Sequence, residues 1–577
     1  MAIRTVGPTS TFPTIAAAML AANAADTIVL EAGYSNETAT VTHNGMTVSG
    51  QASSTGIILH LGTGIATFAL GGSAPITVDD APDGNSIVGN DGDNTIIVTN
   101  GVDAVTGGLG VDLLRVDYHT ATGAITGNST SNFTEAGGSG RAVSIVDGTF
   151  ENFTVLTGSG ADTLTVGDGD NTIKAGSGAN TITAGQGANR IFGGDDADTI
   201  TAGDGGNTID GGDGANTLTS GAGNDRIYSG TGADTIVAGG GSDQVTVLGG
   251  ADTVDSGAGS DRLIVDYSAL TTDVTGGVTS GNLLSGYTGN IADTTVHTVG
   301  FVGTEAFTVT TGSGNDKITT GAGIDRLTGG AGNDALDAGD GNDVLSGGDD
   351  QDTLRGAGGN DQLNGGNGND KLLGGAGADD HDGGAGVDVA QYTYATAGLL
   401  ADLQVSSNNT GEAAGDTYVS VENLIGSRFA DNLRGDAGNN SVSGGNGDDT
   451  LYGRSGNDEL TGGNGNDTLT GGGGNDTFVF SSAFSATTNI DTVADYSVAG
   501  DTMNLDNNVF TTLPLGSLAS DAFFIGAAAQ DAEDRIIYNS ASGALMYDKD
   551  GTGSSAATEF ATLSGGLALT SNNFTVV

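Results

Sequence analysis

A nine-residue word, Gly-Gly-x-Gly-x-Asp-x-(Leu/Ile)-x, recurs some thirty times between Gly89 and Val479; its clearest form is Gly329-Gly-Ala-Gly-Asn-Asp334-Ala-Leu336-Asp337. Each part of the word restricts the backbone. The glycines permit a sharp turn with positive φ and a close approach of main-chain carbonyls. The residues around the Leu or Ile suffice for one short strand with one inward side chain. The Asp adds a hard anionic oxygen, and carboxylate and carbonyl oxygens together select Ca2+ over softer metals.

Charge points the same way. The 577 residues include 71 acidic and 16 basic ones, a formal net charge of −55. That balance disfavours nucleic acid or an anionic membrane surface and favours bound cations. With 105 glycines, 5% aromatics and no Trp, a conventional large core is not expected, and a solenoid with a thin aliphatic core is. Cysteine is absent, which removes disulfide and thiolate chemistry. No apolar run approaches the roughly 18 residues of a membrane span. Ile15-Ala-Ala-Ala-Met-Leu20 followed by Ala22-Asn-Ala24 has the outline of a signal-peptide core. Arg4 is the only charge before it and Pro13 stands at its start, so a short helix over residues 13–25 is expected instead.

With Asp as position six, the words group into arrays at 89–118, 157–267, 311–392 and 426–479, separated by inserts at 119–156, 268–310 and 393–425. Residues 1–88 form an N-terminal cap with strands expected at 26–30, 39–42 and 56–61. After Val479 the word stops, and 480–577 are expected to form a β-rich terminal cap with strands at 501–505, 534–538 and 544–547. The first three arrays end near Tyr118, Tyr267 and Tyr392, and the inserts close on Glu151-Asn-Phe153, Glu305-Ala-Phe307 and Glu422-Asn-Leu424. These residues are expected to plug the core where modules join. Position eight is the core itself: Ile173, Ile182, Ile191, Ile200 and Ile209 in the second array, and Leu327, Leu336, Leu345, Leu354, Leu363 and Leu372 in the third. His381 breaks that run, which suggests a turn loosening before the insert.

The nonapeptide is similar to that of RTX, or hemolysin-type, calcium-binding repeat proteins exported by type I secretion. The resemblance implies an all-β fold: a parallel β-roll or β-helix solenoid with a short N-terminal helix cap and a β-rich C-terminal cap. Each word would make a half-turn, and Ca2+ would sit between stacked loops, shared by Asp residues eighteen apart. Residues 1–88 resemble the opening of right-handed parallel β-helix proteins, where a helix covers the end of the solenoid.

Ca2+ affinity follows the charge of the ligands, so the doubly acidic pairs mark the candidate metal ligands. In the second array these are Asp225, Asp234, Asp243, Asp252 and Asp261; in the third Asp316, Asp325, Asp334, Asp343, Asp352, Asp361, Asp370, Asp379 and Asp388; in the fourth Asp431, Asp449, Asp458, Asp467 and Asp476. Asp103, Asp112, Asp162 and Asp198 are weaker candidates. Asn171, Asn180, Asn189, Asn207 and Asn216 occupy position six in the early second array; they form either a metal-free amide ladder or a bank of weak Ca2+ sites.

The ending Asn573-Phe-Thr-Val-Val577 is similar to the uncleaved signals of type I exporters, which would account for an export route without an N-terminal signal. Asp548, Asp550, Thr552, Gly553 and Glu559 match EF-hand loop positions, but the strand-like residues before them favour a hairpin turn. The histidines, His43, His60, His119, His297 and His381, are scattered, and neither His-Glu-x-x-His nor Gly-x-Ser-x-Gly occurs. RTX proteases and lipases would carry such motifs, and 1–88 is too short for the catalytic module of an RTX epimerase, so no enzyme is expected. The reading is a secreted calcium-binding protein that folds on Ca2+ after export and serves a structural or surface-associated role, in a matrix, an adhesin or a surface layer. A polysaccharide-modifying enzyme or its accessory module, and a calcium-sequestering protein, are the alternatives. The partners implied are calcium ions and the type I export machinery, with cell-surface polysaccharide or copies of the chain itself beside them.

Overall fold

The glycine-rich turn in every nine residues leaves room only for short strands. In the computed structural model, which describes residues 1–81, 83–137, 141–146, 148–485 and 487–577, those strands stack in parallel. Thr172–Gly176, Arg190–Gly194 and Thr208–Gly212 pair with Ile173 beside Ile191 and Ile191 beside Ile209. The intervening words supply Thr163–Val166, Thr181–Ala184 and Thr199–Thr201, which stack with Leu164 beside Ile182 and Ile182 beside Ile200. Two words make one turn, and the position-eight side chains of both are buried between them.

The chain forms two compact units, Met1–Asp266 with Thr279–Ala306, and Tyr267–Val278 with Phe307–Val577. In the first, parallel stacking begins well ahead of the words. Ile3–Val6, Thr27–Leu30, Met46–Gly50, Thr67–Gly72 and Ser86–Val88 follow one another in register. Ile28 faces Val48 and Val48 faces Leu70, steps longer than eighteen because these turns lack the compact glycine loop. The helix spans Ile15–Ala21, shorter than the expected 13–25. Thr14 caps it, its hydroxyl accepting the Ala17 N–H at 3.1 Å, and Ala22 is already extended. Its buried face, Ile15, Ala18 and Met19, packs on the first strands.

In the second unit one column runs Leu327, Leu345, Leu363 and the other Ile318, Leu336, Leu354, Leu372, Ala390, Leu424, Val442, Leu460, Phe478. Stacking does not end where the word ends. Leu469 faces Val493 in Asp491–Val493, and Phe478 faces Met503 in Thr502–Leu505. In the final segments Ile536–Tyr538, Ala544–Tyr547 and Thr558–Thr562 pair antiparallel, yet Thr558–Thr562 also stacks parallel on Asp491–Val493, and Phe574–Val576 stacks parallel on Thr502–Leu505. The EF-hand-like residues fall in the loop of that hairpin, with Glu559 on its second strand opposite Met546.

Tyr118, Phe153, Tyr392 and Leu424 are all buried at the insert boundaries of their own units, as are Tyr267 and Phe307. On the outer face of the second array, Thr163, Thr181, Thr199, Thr217, Thr235 and Thr253 line up in register and are exposed. β-Branched residues suit a strand surface, and like charges stacked directly opposite one another would destabilise it. A threonine column is what a strongly acidic chain can tolerate there.

Leu354 is fully buried between Leu336 and Leu372. Leu354→Ala should therefore lower stability by about 2–5 kcal/mol, measured by urea unfolding in Ca2+-saturated buffer.

Candidate metal centres

Position six lies where the loop turns into the strand, and there its main-chain N–H has lost loop partners without yet gaining strand ones. A side chain one turn away supplies the acceptor. Asp316, Asp334, Asp352 and Asp370 each donate their N–H to Oδ1 of the Asp eighteen residues on, at 2.8 Å. On the opposite side Asp325, Asp343 and Asp361 do the same toward Asp343, Asp361 and Asp379. The pairs Asp225 with Asp243, Asp243 with Asp261, and Asp234 with Asp252 are joined in this way, as are Asp431 with Asp449, Asp449 with Asp467, and Asp458 with Asp476. Among the weaker candidates, Oδ1 of Asp103, Asp112, Asp162 and Asp198 accepts the N–H of Asn85, Asn94, Ile125 and Asn180.

The other oxygen is left over. Oδ2 is buried without a hydrogen-bond partner in Asp103, Asp112, Asp162, Asp198, Asp225, Asp234, Asp243, Asp252, Asp261, Asp316, Asp334, Asp343, Asp352, Asp361, Asp370, Asp379, Asp388, Asp449, Asp458 and Asp467. It points back into its own loop. A Cβ on Gly329 would fall 2.0 Å from Asp334 Oδ2 and 2.8 Å from the carbonyl oxygen of Gly347, and Gly347 and Gly356 stand in the same relation to Asp352 and Asp361. At these three positions the carboxylate fills the space a Cβ would need, whereas Ser220 and Ala338 hold position one before Asp225 and Asp343. Asp431 departs from the rule, since its Oδ2 accepts the Ser427 N–H at 2.6 Å.

The asparagine loops show what else faces that oxygen. Asn171 Nδ2 donates to the carbonyls of Gly167 and Gly169 at 3.0 and 2.9 Å. Asn189 and Asn207 repeat this toward Gly185 and Gly187, and toward Gly203 and Gly205. These are the carbonyls of positions two and four. Asn171 Nδ2 also meets Asn189 Oδ1 at 2.9 Å, and Asn189 Nδ2 meets Asn207 Oδ1 at 3.0 Å, so the amide ladder forms. In an aspartate loop the same place would gather Oδ2 and main-chain carbonyls, an all-oxygen set that suits Ca2+. Among the described residues no three His, Cys, Asp or Glu side chains gather as a metal cluster.

A family model described as RTX calcium-binding nonapeptide repeat (4 copies) matches residues 82–114, 156–263, 310–390 and 425–481 in successive copies. The chain is an RTX-repeat protein. Ca2+ is the ion such repeats bind. No curated protein matches it.

Several ladder members carry no recognisable word. Glu151 and Glu305 accept the N–H of Asp112 and Asp261 at 2.8 Å in the first unit. In the second, Glu422 accepts from Asp388 at 2.8 Å, Asp416 from Asp379 at 2.9 Å, Asp491 from Asp467 at 3.1 Å and Asp501 from Asp476 at 3.0 Å. The closing Glu-x-apolar triplets were therefore a visible signal: they are the Asp-x-Leu of the word with one more methylene.

His381 does not mark a loosened turn. It stays in register between Leu363 and Tyr418 and is buried, with its ring stacked on that of Tyr418 at 5.3 Å. Neither ring nitrogen has a hydrogen-bond partner of ordinary geometry, and burial pushes its pKa down to about 4. An unsatisfied buried polar group costs about 1–3 kcal/mol, so His381→Leu should raise stability by about that amount in urea unfolding. Of the other histidines, His60 pairs with Asp79, His119 with Asp117 and His297 with Asp293.

Burial, and after it the neighbouring aspartates, push the carboxyls of Asp334, Asp343, Asp352 and Asp449 up to about 7, and burial pushes Asp361 up to about 6. Folded pKa values above the unfolded one, about 3.9, stabilise the fold below the unfolded value, and that stabilisation is lost as pH rises through the folded value. His381, with its lowered pKa, has the opposite sign but is one group against whole columns. In excess chelator, strand content by circular dichroism should therefore rise as pH falls from about 7 toward about 4; a signal that stays flat over that window would contradict this.

Proposed function

We propose that the protein is secreted, that Ca2+ folds it after export, and that the folded solenoid serves a structural or surface-associated role. The observation behind this is the column of buried, unpartnered Oδ2 atoms. The ligands are the position-six aspartates from Asp225 to Asp261, Asp316 to Asp388 and Asp431 to Asp476, with Asp103, Asp112, Asp162 and Asp198 as weaker members. Without a cation these carboxylates must be driven into the interior charged or protonated, and glycine-rich loops lose much entropy on ordering. Metal that binds only the folded form then stabilises it by mass action. Where Ca2+ is scarce, inside the cell, the chain stays loose enough for a type I exporter; where Ca2+ is abundant, outside, it sets.

The structural role is supported by repetition of near-identical rungs and by histidines that pair individually with separate aspartates or lie in the core. Ca2+ titration followed by circular dichroism should show strand signal appearing with metal at neutral pH; full signal in excess chelator would sink the folding mechanism. Electron microscopy of the Ca2+-loaded protein, alone and with cells, should show assemblies or coating. Turnover of a uronic-acid polymer by the purified protein would favour a polysaccharide-modifying enzyme instead.

A further inference from the structure

In the early second array asparagine is interspersed with aspartate at position six, and each asparagine exchanges one carboxylate oxygen for an amide nitrogen. A Cβ on Gly193 would meet Asp198 Oδ2 at 2.3 Å and the Gly211 carbonyl at 2.6 Å; a Cβ on Gly211 would meet Asn216 Nδ2 at 2.9 Å and the Ser229 carbonyl at 2.8 Å. The amide nitrogen thus stands where the carboxylate oxygen stands one turn earlier. An ionised carboxylate offers only acceptors, whereas an amide nitrogen offers two donors. Asn216 uses them on Gly212 and Gly214, both at 3.2 Å, just as Asn171, Asn189 and Asn207 use theirs on the carbonyls of positions two and four. The amide oxygen is still free for the ladder: Asn171 Oδ1 accepts the Phe153 N–H and Asn216 Oδ1 the Asp198 N–H, each at 2.9 Å.

We infer that Asn171, Asn189, Asn207 and Asn216 stand in for the ion in their loops, so that this stretch folds without calcium and is the preformed end on which the calcium-dependent rungs assemble. The contact between the two kinds of rung is direct. Asn207 donates its N–H to Asp225 Oδ1 at 2.6 Å, and Asn216 to Asp234 Oδ1 at 2.7 Å. Asn207 and Asn216 therefore hold the first doubly acidic rungs in position before metal arrives, which removes the step of finding a register from calcium-driven folding. Asparagine at position six does not suffice alone. Asn180 Nδ2 reaches the Gly193 carbonyl at 3.4 Å instead, and in Asn440, whose loop has an aspartate at position two, the Nδ2 turns to Glu422 O and Asp436 Oδ1.

The inference rests on the reading that calcium drives folding, and one experiment separates the two. Hydrogen exchange of the full chain at neutral pH in excess chelator should leave residues 171–219 protected while 316–388 exchange freely until Ca2+ is added. If both stretches exchange freely in chelator and both are protected by Ca2+, the asparagine inference fails and the calcium reading stands; if both are protected in chelator, the calcium reading fails and takes the inference with it. Asn189→Asp, in the full chain, should lose protection of 171–209 in chelator, regain it with Ca2+ and bind one more Ca2+ per chain by equilibrium dialysis. Retention of metal-free protection by that variant would overturn the inference.

Discussion

One hydrogen bond, from the main-chain N–H at position six to a side-chain oxygen one turn further on, connects everything else in each unit. It satisfies a donor that the change from loop to strand would strand in the interior. It also fixes the register of the strand that follows, since the inward residue comes two places later. Where the acceptor is an aspartate of the arrays, the bond in most cases also leaves a second oxygen buried without a hydrogen-bond partner. Register, core and charge are consequences of a single contact.

In the proposed mechanism that contact also poises the molecule between states. A thin column of Leu and Ile is a modest reward for ordering nine residues rich in glycine, and the buried carboxylates subtract from it. Protons, cations or an amide nitrogen can each remove the subtraction, and the chain makes built-in use of the third. Most aspartates of the third array, and Asp449, Asp458 and Asp467 of the fourth, keep the unpartnered oxygen, which in the proposed mechanism leaves them dependent on what the surroundings supply.

Much of this was legible in the word itself. The likeness of the word to RTX repeats implied the parallel solenoid and the eighteen-residue interval of the aspartate pairs that the ladder joins, and position eight gave the core. The hairpin around Asp548 and Asp550 also followed, because Ala544 to Tyr547 has strand character rather than helix character. What stayed hidden were members with no fixed interval. Asp491 and Asp501 follow their donors by 24 and 25 residues, and Asp416 follows Asp379 by 37. No periodicity can show them; only the three-dimensional return of the chain does. The turns of residues 1–88 were expected from their likeness to the opening of parallel β-helix proteins and do stack in register; only their step lengths were not legible, since these vary with loops that lack the glycine pattern. His381 misled because a polar residue in a core column suggests disorder, whereas the ring of Tyr418 gives it a face to stack on.

The irregular members have one more implication. Glu151 reaches its place 39 residues after Asp112, Glu305 44 after Asp261, and Glu422 34 after Asp388, yet in each case the next turn takes up its ordinary position. The fold thus asks only that an acceptor arrive, and sets no length for the path by which it comes. A chain governed by such a rule can lengthen by accretion: new sequence can enter between two rungs, be carried outward as a loop or hairpin, and be kept or lost without disturbing the turns on either side.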